Sequence, residues 1–199
     1  PQWLNHNAER GEVAPRLIAH RNLPLRYARY RETEGYQAIL NEMQFPGISA
    51  KFQPTKVDPT ETFEDHMVLS ESPRIELLWV PSETDCALAM WLPDTRTLFA
   101  GAAVPADFIP NVGTPQRTLR LTARWADTLD RLVALRPEVL VIEFGPFVEG
   151  EDLIAERLTT TAQALRWLRS AVVDRLNRGM NEREILADLD YPPELFDLP

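Results

Sequence analysis

Between Leu77 and Ala103 the chain alternates short apolar runs with polar turns, a spacing that only a tightly turned sheet accommodates. Leu77–Val80 is a continuous apolar run that stops at Pro81. Ala87–Leu92 is a second, closed by Pro93-Asp94, and Thr97–Ala100 is a third that stops at Gly101. Runs of four to six residues bounded by proline, glycine and aspartate predict buried strands rather than helices. The first connection, Pro81-Ser82-Glu83-Thr84-Asp85, places two carboxylates and two hydroxyls at the end of a buried strand. Loops carried by such a scaffold often hold functional side chains.

The elements on either side predict an α/β protein. Arg16–His20 reads as a short strand, and Leu23–Met43 carries apolar residues at helical spacing that Gly35 interrupts. Pro1–Arg10 is polar and is expected to be frayed or looped, with Trp3 as an anchor. Three prolines between Gln44 and Thr62 predict a surface loop, and Phe63–Leu69 a further strand. Thr118–Leu135 is amphipathic, with Leu121, Trp125, Leu129 and Leu132 on one stripe. Val139–Ile142 follows as a buried strand. The longest helix is predicted from Glu151 to Arg178, acidic at its start and basic at its end, with Gly179 as its stop. Asn181 then caps a short helix with Glu184 in capping-box position.

At 199 residues the chain has enough length for one sizeable core. A formal charge of −9 argues against general nucleic-acid binding, which needs clustered positive charge. No apolar run approaches the roughly 18–20 residues of a membrane span. Cys86 is the single cysteine, so no internal disulfide forms. It is expected to be a small buried residue, with no basic neighbour to activate it. With no secretory pattern at the start, the expected location is cytoplasmic. Lys51 and Lys56 are the only lysines among 21 basic residues. Arginine suits bidentate anion recognition, although a GC-rich genome produces the same bias.

Several of these motifs carry a resemblance. Ser82-Glu83-Thr84-Asp85, Trp91-Leu92-Pro93-Asp94 and Leu98-Phe99-Ala100-Gly101 resemble the middle of metallo-β-lactamase-fold hydrolases. The branch is the alkylsulfatase-like one, which typically reads Gly-Glu-Thr-Asp-Asp, Trp-Leu-Pro-Glu and Leu-Phe-Gly-Asp at these points. Ile18-Ala19-His20, the Arg26-Tyr27 and Arg29-Tyr30 pairs, Gly35-Tyr36 and Asn111-Val112-Gly113-Thr114-Pro115 fall in family order. The likeness runs from His20 to the C-terminus.

The resemblance implies an α/β fold, a partial αββα sandwich over residues 1–150. Helices from 151 to 199 would begin a homo-oligomer surface. It implies zinc, with a metal-bound hydroxide attacking a small anionic ester, sulfate esters being the leading class. The family's His-x-His-x-Asp-His motif would lie before Ile18; His6, His20 and His66 have no such spacing. Of three later ligand positions, Glu83 fills the first. Ala102 stands where a bridging carboxylate is expected, and Phe144 where a histidine is; neither has a donor atom. Losing two ligands from a four-ligand zinc site would remove on the order of 6 kcal/mol, about 10⁴ in affinity. Glu143 could replace Phe144 only if its side chain turned inward, and it is expected to point elsewhere.

Thr84 and Asp85 would orient the ligand, and Arg117 and Arg120 would hold the substrate's anion. Read without the resemblance, Glu83 is a solvated loop carboxylate, and Thr84 and Asp85 are turn formers. Arg117, Arg120, Arg124 and Arg131 then form a solvated stripe paired with Asp127 and Asp130. His20 is expected to be a hydrogen-bonded structural residue. Two functional classes follow: a divergent or partial zinc hydrolase, and a non-catalytic relative kept for binding or association. A half-sandwich would also leave part of a sheet face exposed, so self-association or poor solubility is expected of the chain alone.

Overall fold

A computed structural model of the chain describes residues 2–45, 47, 57–105, 109–113 and 119–196. Most of the surface loop expected between Gln44 and Thr62 lies outside the described residues. The chain divides into two compact units, Pro1–Asp65 and His66–Pro199.

In the first unit, helix α1 (Gln2–Glu9) occupies the stretch expected to be looped. Good helix formers such as Leu4, Ala8 and Glu9 outweigh its polarity. Gly11 ends the turn at φ +66°, donating to the Ala8 carbonyl. Strand β1 (Ile18–His20) pairs in parallel with β2 (Glu61–Phe63), His20 opposite Phe63. His20 is buried, its Nδ1 accepts from the Asn22 amide at 3.2 Å, and its ring meets Phe63 edge-on. The structural role expected of it is the one it has. The long helical pattern is two helices, α2 (Asn22–Glu32) and α3 (Glu34–Gln44). The break falls at Thr33 and not at Gly35, because the Thr33 hydroxyl and amide both bond to the Arg29 carbonyl.

The second unit is a six-stranded sheet with helices on one face. Strands β3 (His66–Glu71), β4 (Arg74–Trp79), β5 (Leu88–Leu92), β6 (Thr97–Gly101), β7 (Val139–Ile142) and β8 (Val148–Glu149) lie in sequence order. All neighbours are antiparallel except β6 and β7, which are parallel and joined through α4 (Thr122–Val133). The strand expected at Phe63–Leu69 is divided: Phe63 closes β2 in the first unit and His66 opens β3 in the second. Helix α4 starts four residues later than its apolar period suggested, so Leu121 is half-exposed.

Helix α5 (Glu151–Asn177) packs against α4 over the sheet. One core forms from Ala89, Leu98 and Leu140 of the strands, Trp125, Leu129 and Leu132 of α4, and Ile154, Leu158 and Leu165 of α5. Helix α5, which begins at the division expected at residue 150, thus contributes to the core of the sheet. Asn181 and Glu184 exchange backbone bonds in a full capping box at the start of α6 (Glu182–Asp188). The short α7 (Pro193–Phe196) follows, and Phe196 meets Trp167 of α5 edge-on.

Register gives the two sheet faces different characters. Leu98 pairs with Leu140 on the helix-covered face, and both are fully buried. Leu77, Met90, Phe99 and Val141 form the alternate row, on which Phe99 is 37% exposed.

An ion network ties the turn after β5 to the start of α5. Arg96, in left-handed backbone at φ 49°, donates from Nε to the Arg136 carbonyl at 2.8 Å and pairs with Glu138 at 2.6 Å. Glu151 accepts from both Arg96 and Arg136. The Glu151 carboxyl lies below its ordinary value of 4.5, held there by hydrogen bonds from Arg136 and then Arg96. A carboxylate depressed by folding stabilises the protein above its unfolded pKa, and that contribution is lost as pH falls through its folded pKa. Glu151→Gln is therefore expected to lower the urea midpoint at pH 7. Wild type and variant should converge as pH drops below about 4.5, a trend that urea titrations across pH would follow.

Candidate metal and anion site

The Pro81–Asp85 connection is a tight turn in which the Thr84 carbonyl accepts from the Ser82 amide at 3.1 Å and the Ala87 amide at 3.4 Å. Two long-range bonds pin it. The Thr128 hydroxyl of α4 donates to the Pro81 carbonyl at 2.7 Å, and the Trp79 indole N–H donates to the Asp85 carbonyl at 2.9 Å. Ser82 is buried, and its Oγ has no hydrogen-bond partner among the described residues. Thr84 Oγ1 lies 3.5 Å from Cys86 Sγ. Cys86 itself is half-buried rather than buried, because it sits in the turn ahead of β5.

Glu83 is engaged. Its Oε1 accepts from Arg120, whose other terminal nitrogen donates to the Asn111 carbonyl. The pair is well shielded, with side-chain exposures of 19% for Arg120 and 30% for Glu83, so the contact is stronger than a surface ion pair. Arg120 precedes α4 and is not on its face, while Arg117 lies outside the described residues. Among the described residues the pairing differs from the one expected along the helix: Asp127 and Asp130 both bind Arg166 of α5, at 2.7 and 2.6 Å.

The two donorless positions occupy neighbouring loops. Ala102 lies in the turn after β6, which closes through bonds from the Ala103 amide to the Ala100 carbonyl and from the Val104 amide to the Gly101 carbonyl. The buried Trp125 indole N–H donates to the Ala103 carbonyl at 2.9 Å and holds that turn against α4. The Glu143 and Phe144 amides donate to the Val104 and Pro105 carbonyls at 3.1 and 2.9 Å. Phe144 itself is 70% exposed. Glu143 is exposed. Partial burial, and then the charge of Glu83, raise its carboxyl above the ordinary value.

Zinc takes about four nitrogen, sulfur or oxygen ligands. Here Glu83 is tied to a guanidinium, Ala102 presents a methyl group and Phe144 an exposed ring. Among the described residues no three His, Cys, Asp or Glu side chains come together in a group that could hold a metal ion. The described residues do not fit zinc by themselves.

No protein-family profile matches the chain. It is 30% identical over 143 residues to the linear primary-alkylsulfatase of Pseudomonas sp. (strain ATCC 19151), which covers 71% of this chain and 27% of that protein. The stereoselective inverting sec-alkylsulfatase Pisa1 from Pseudomonas sp. superimposes with a TM-score of 0.78 at 19% identity, covering 97% of this chain and 34% of that one. A metallo-β-lactamase family protein from Thermus thermophilus gives 0.56 at 20% identity, over 80% of this chain and 56% of its own. The chain thus spans about a quarter of its curated relative and about a third of the sec-alkylsulfatase. Sequence and architecture agree: the chain is an alkylsulfatase homologue with the metallo-β-lactamase fold.

Proposed function

We propose that this chain is an alkylsulfatase-like protein with a degenerate metal centre, and that by itself it does not hydrolyse sulfate esters. The observation that carries this reading is the Glu83–Arg120 pair: the one ligand position that keeps a donor has its charge met by a guanidinium. Ala102 and Phe144 add no donor. On this reading the site has become a latch, joining the Pro81–Asp85 turn to the extended segment before α4. Its role is then binding or association. Self-association through the C-terminal helices belongs to the proposal, supported by the exposure of Leu176 and Leu186 there.

One observation favours a second reading. After burial, the charge of Glu83 raises the Glu143 carboxyl above its ordinary value, and a cation close to both would reverse that effect. A weak site built on both carboxylates would make the chain a divergent metal-dependent hydrolase.

Zinc stoichiometry separates the two. Elemental analysis of the purified chain, with Glu83→Gln and Glu143→Gln beside it, is expected to return near-zero metal in all three. One zinc per chain, lost in either variant, would overturn the degenerate reading and direct work to sulfate-ester assays.

A further inference from the structure

The Arg-Tyr pairs of α2 belong neither to the latch nor to the core, and α2 buries no residue fully. Arg21, Arg26, Arg29 and Arg31 lie on or beside this helix, whose only acidic residue is Glu32. Arg21 pairs with Glu64, and Arg31 pairs with Asp58 at 2.7 Å. Arg26 and Arg29 are engaged differently. Their guanidiniums lie 5.0 and 4.8 Å from the centre of the Tyr30 ring, and neither makes an ion pair among the described residues. Residues at i and i+3 are neighbours on a helix surface, so two like charges share one ring on one side of α2. The chain carries 30 acidic against 21 basic residues, yet none of its described carboxylates covers that pair.

The C-terminal segment offers the complement. Trp167 of α5, Tyr191 and Phe196 form a three-ring cluster, with centroids 5.0, 5.4 and 5.6 Å apart. The cluster holds the segment around α7 on α5, with Asp190 and Glu194 exposed. Asp188 is spent on Arg175 at 2.8 Å, but neither Asp190 nor Glu194 makes an ion pair among the described residues. Tyr191 is 45% exposed, which leaves an aromatic surface beside Asp190 on which a guanidinium can stack.

We propose that α2 of one copy binds the C-terminal segment of a second copy, with Arg26 and Arg29 on Asp190 and Glu194. Charge complementarity selects this occupant, and the ring cluster keeps the ordering cost of binding small. The two faces differ, so the contact is head-to-tail. This inference rests on the self-association reading above and names the surfaces that carry it.

Sedimentation velocity over a concentration series tests it. The wild-type chain is expected to associate at about 50 mM salt and to shift towards monomer at about 500 mM, because exposed pairs are screened. Each guanidinium removed, as Arg26→Gln or Arg29→Gln, should weaken association about fivefold. The reversed pairs Arg26→Glu/Arg29→Glu and Asp190→Arg/Glu194→Arg should each be monomeric alone and associate when mixed. Circular dichroism on each reversed variant confirms that it is folded. Association that persists in the arginine variants and at high salt would overturn this inference and leave association through Leu176 and Leu186 standing. A chain monomeric at every concentration would overturn both. Folded reversed variants that stay monomeric on mixing would overturn the pairing.

Discussion

Ending the chain at Gly150 is expected to abolish the cooperative unfolding of the sheet unit. Ile154, Leu158, Ala162 and Leu165 of α5 are all at or below 1% exposure, and they lie in the same core as Leu98, Leu140 and Trp125. Burying a large aliphatic side chain stabilises by about 1.5–3 kcal/mol, so Ile154, Leu158 and Leu165 together contribute roughly 5–9 kcal/mol. Domain stabilities are themselves about 5–15 kcal/mol. The truncation also removes Glu151 and with it the closure of the Arg96–Arg136 network. Circular dichroism during urea titration checks this. The full chain should show a sigmoidal transition for the sheet unit, and residues 1–150 should lose signal gradually. An unchanged midpoint in the truncated chain would mean that α5 is a separable segment.

The second large effect is expected from Trp125→Ala. Trp125 is fully buried at the centre of the α4–sheet contact, and truncating a buried tryptophan usually destabilises by about 3–5 kcal/mol through lost packing and a residual cavity. It also orphans the Ala103 carbonyl, which accepts the indole N–H at 2.9 Å. Trp125→Phe separates the two contributions: it keeps much of the packing and loses the hydrogen bond, worth about 1 kcal/mol net. The expected order of urea midpoints is wild type, then Phe, then Ala. An Ala variant within about 1 kcal/mol of wild type would contradict a packed core at this position. The same bond holds the turn bearing Ala102, so loosening there should be visible in amide hydrogen exchange of residues 101–104.

Much of the strand and helix framework was legible because it rests on local rules. Apolar runs stopped by Pro81, Pro93 and Gly101 mark β4, β5 and β6 to within a few residues. The Asn181–Glu184 box and Gly179 mark the helix boundaries around them in the same way. The misplaced boundaries have local causes too, as with the Thr33 hydroxyl that ends α2 two residues before Gly35. The donor chemistry of the site was equally plain, since a methyl at Ala102 and a phenyl at Phe144 cannot ligate in any fold.

The pairings across the site were not legible. Glu83 and Arg120 are 37 positions apart, and nothing in the order of residues says that a loop carboxylate meets that arginine rather than a neighbour or solvent. Glu143 is a similar case, its environment set by burial and by a charge 60 residues away. Asp127 and Asp130 sit beside Arg124 and Arg131 along the chain, yet both reach across to Arg166.

The sequence by itself determined strands β4 to β7, helices α4 to α6, the family likeness and the missing donor atoms, because periodicity, turn chemistry and side-chain composition are properties of short stretches. Only the tertiary structure decided that α5 belongs to the sheet's core and that Arg120 meets the charge of Glu83. Those outcomes depend on distances between residues far apart in the chain, and packing sets such distances.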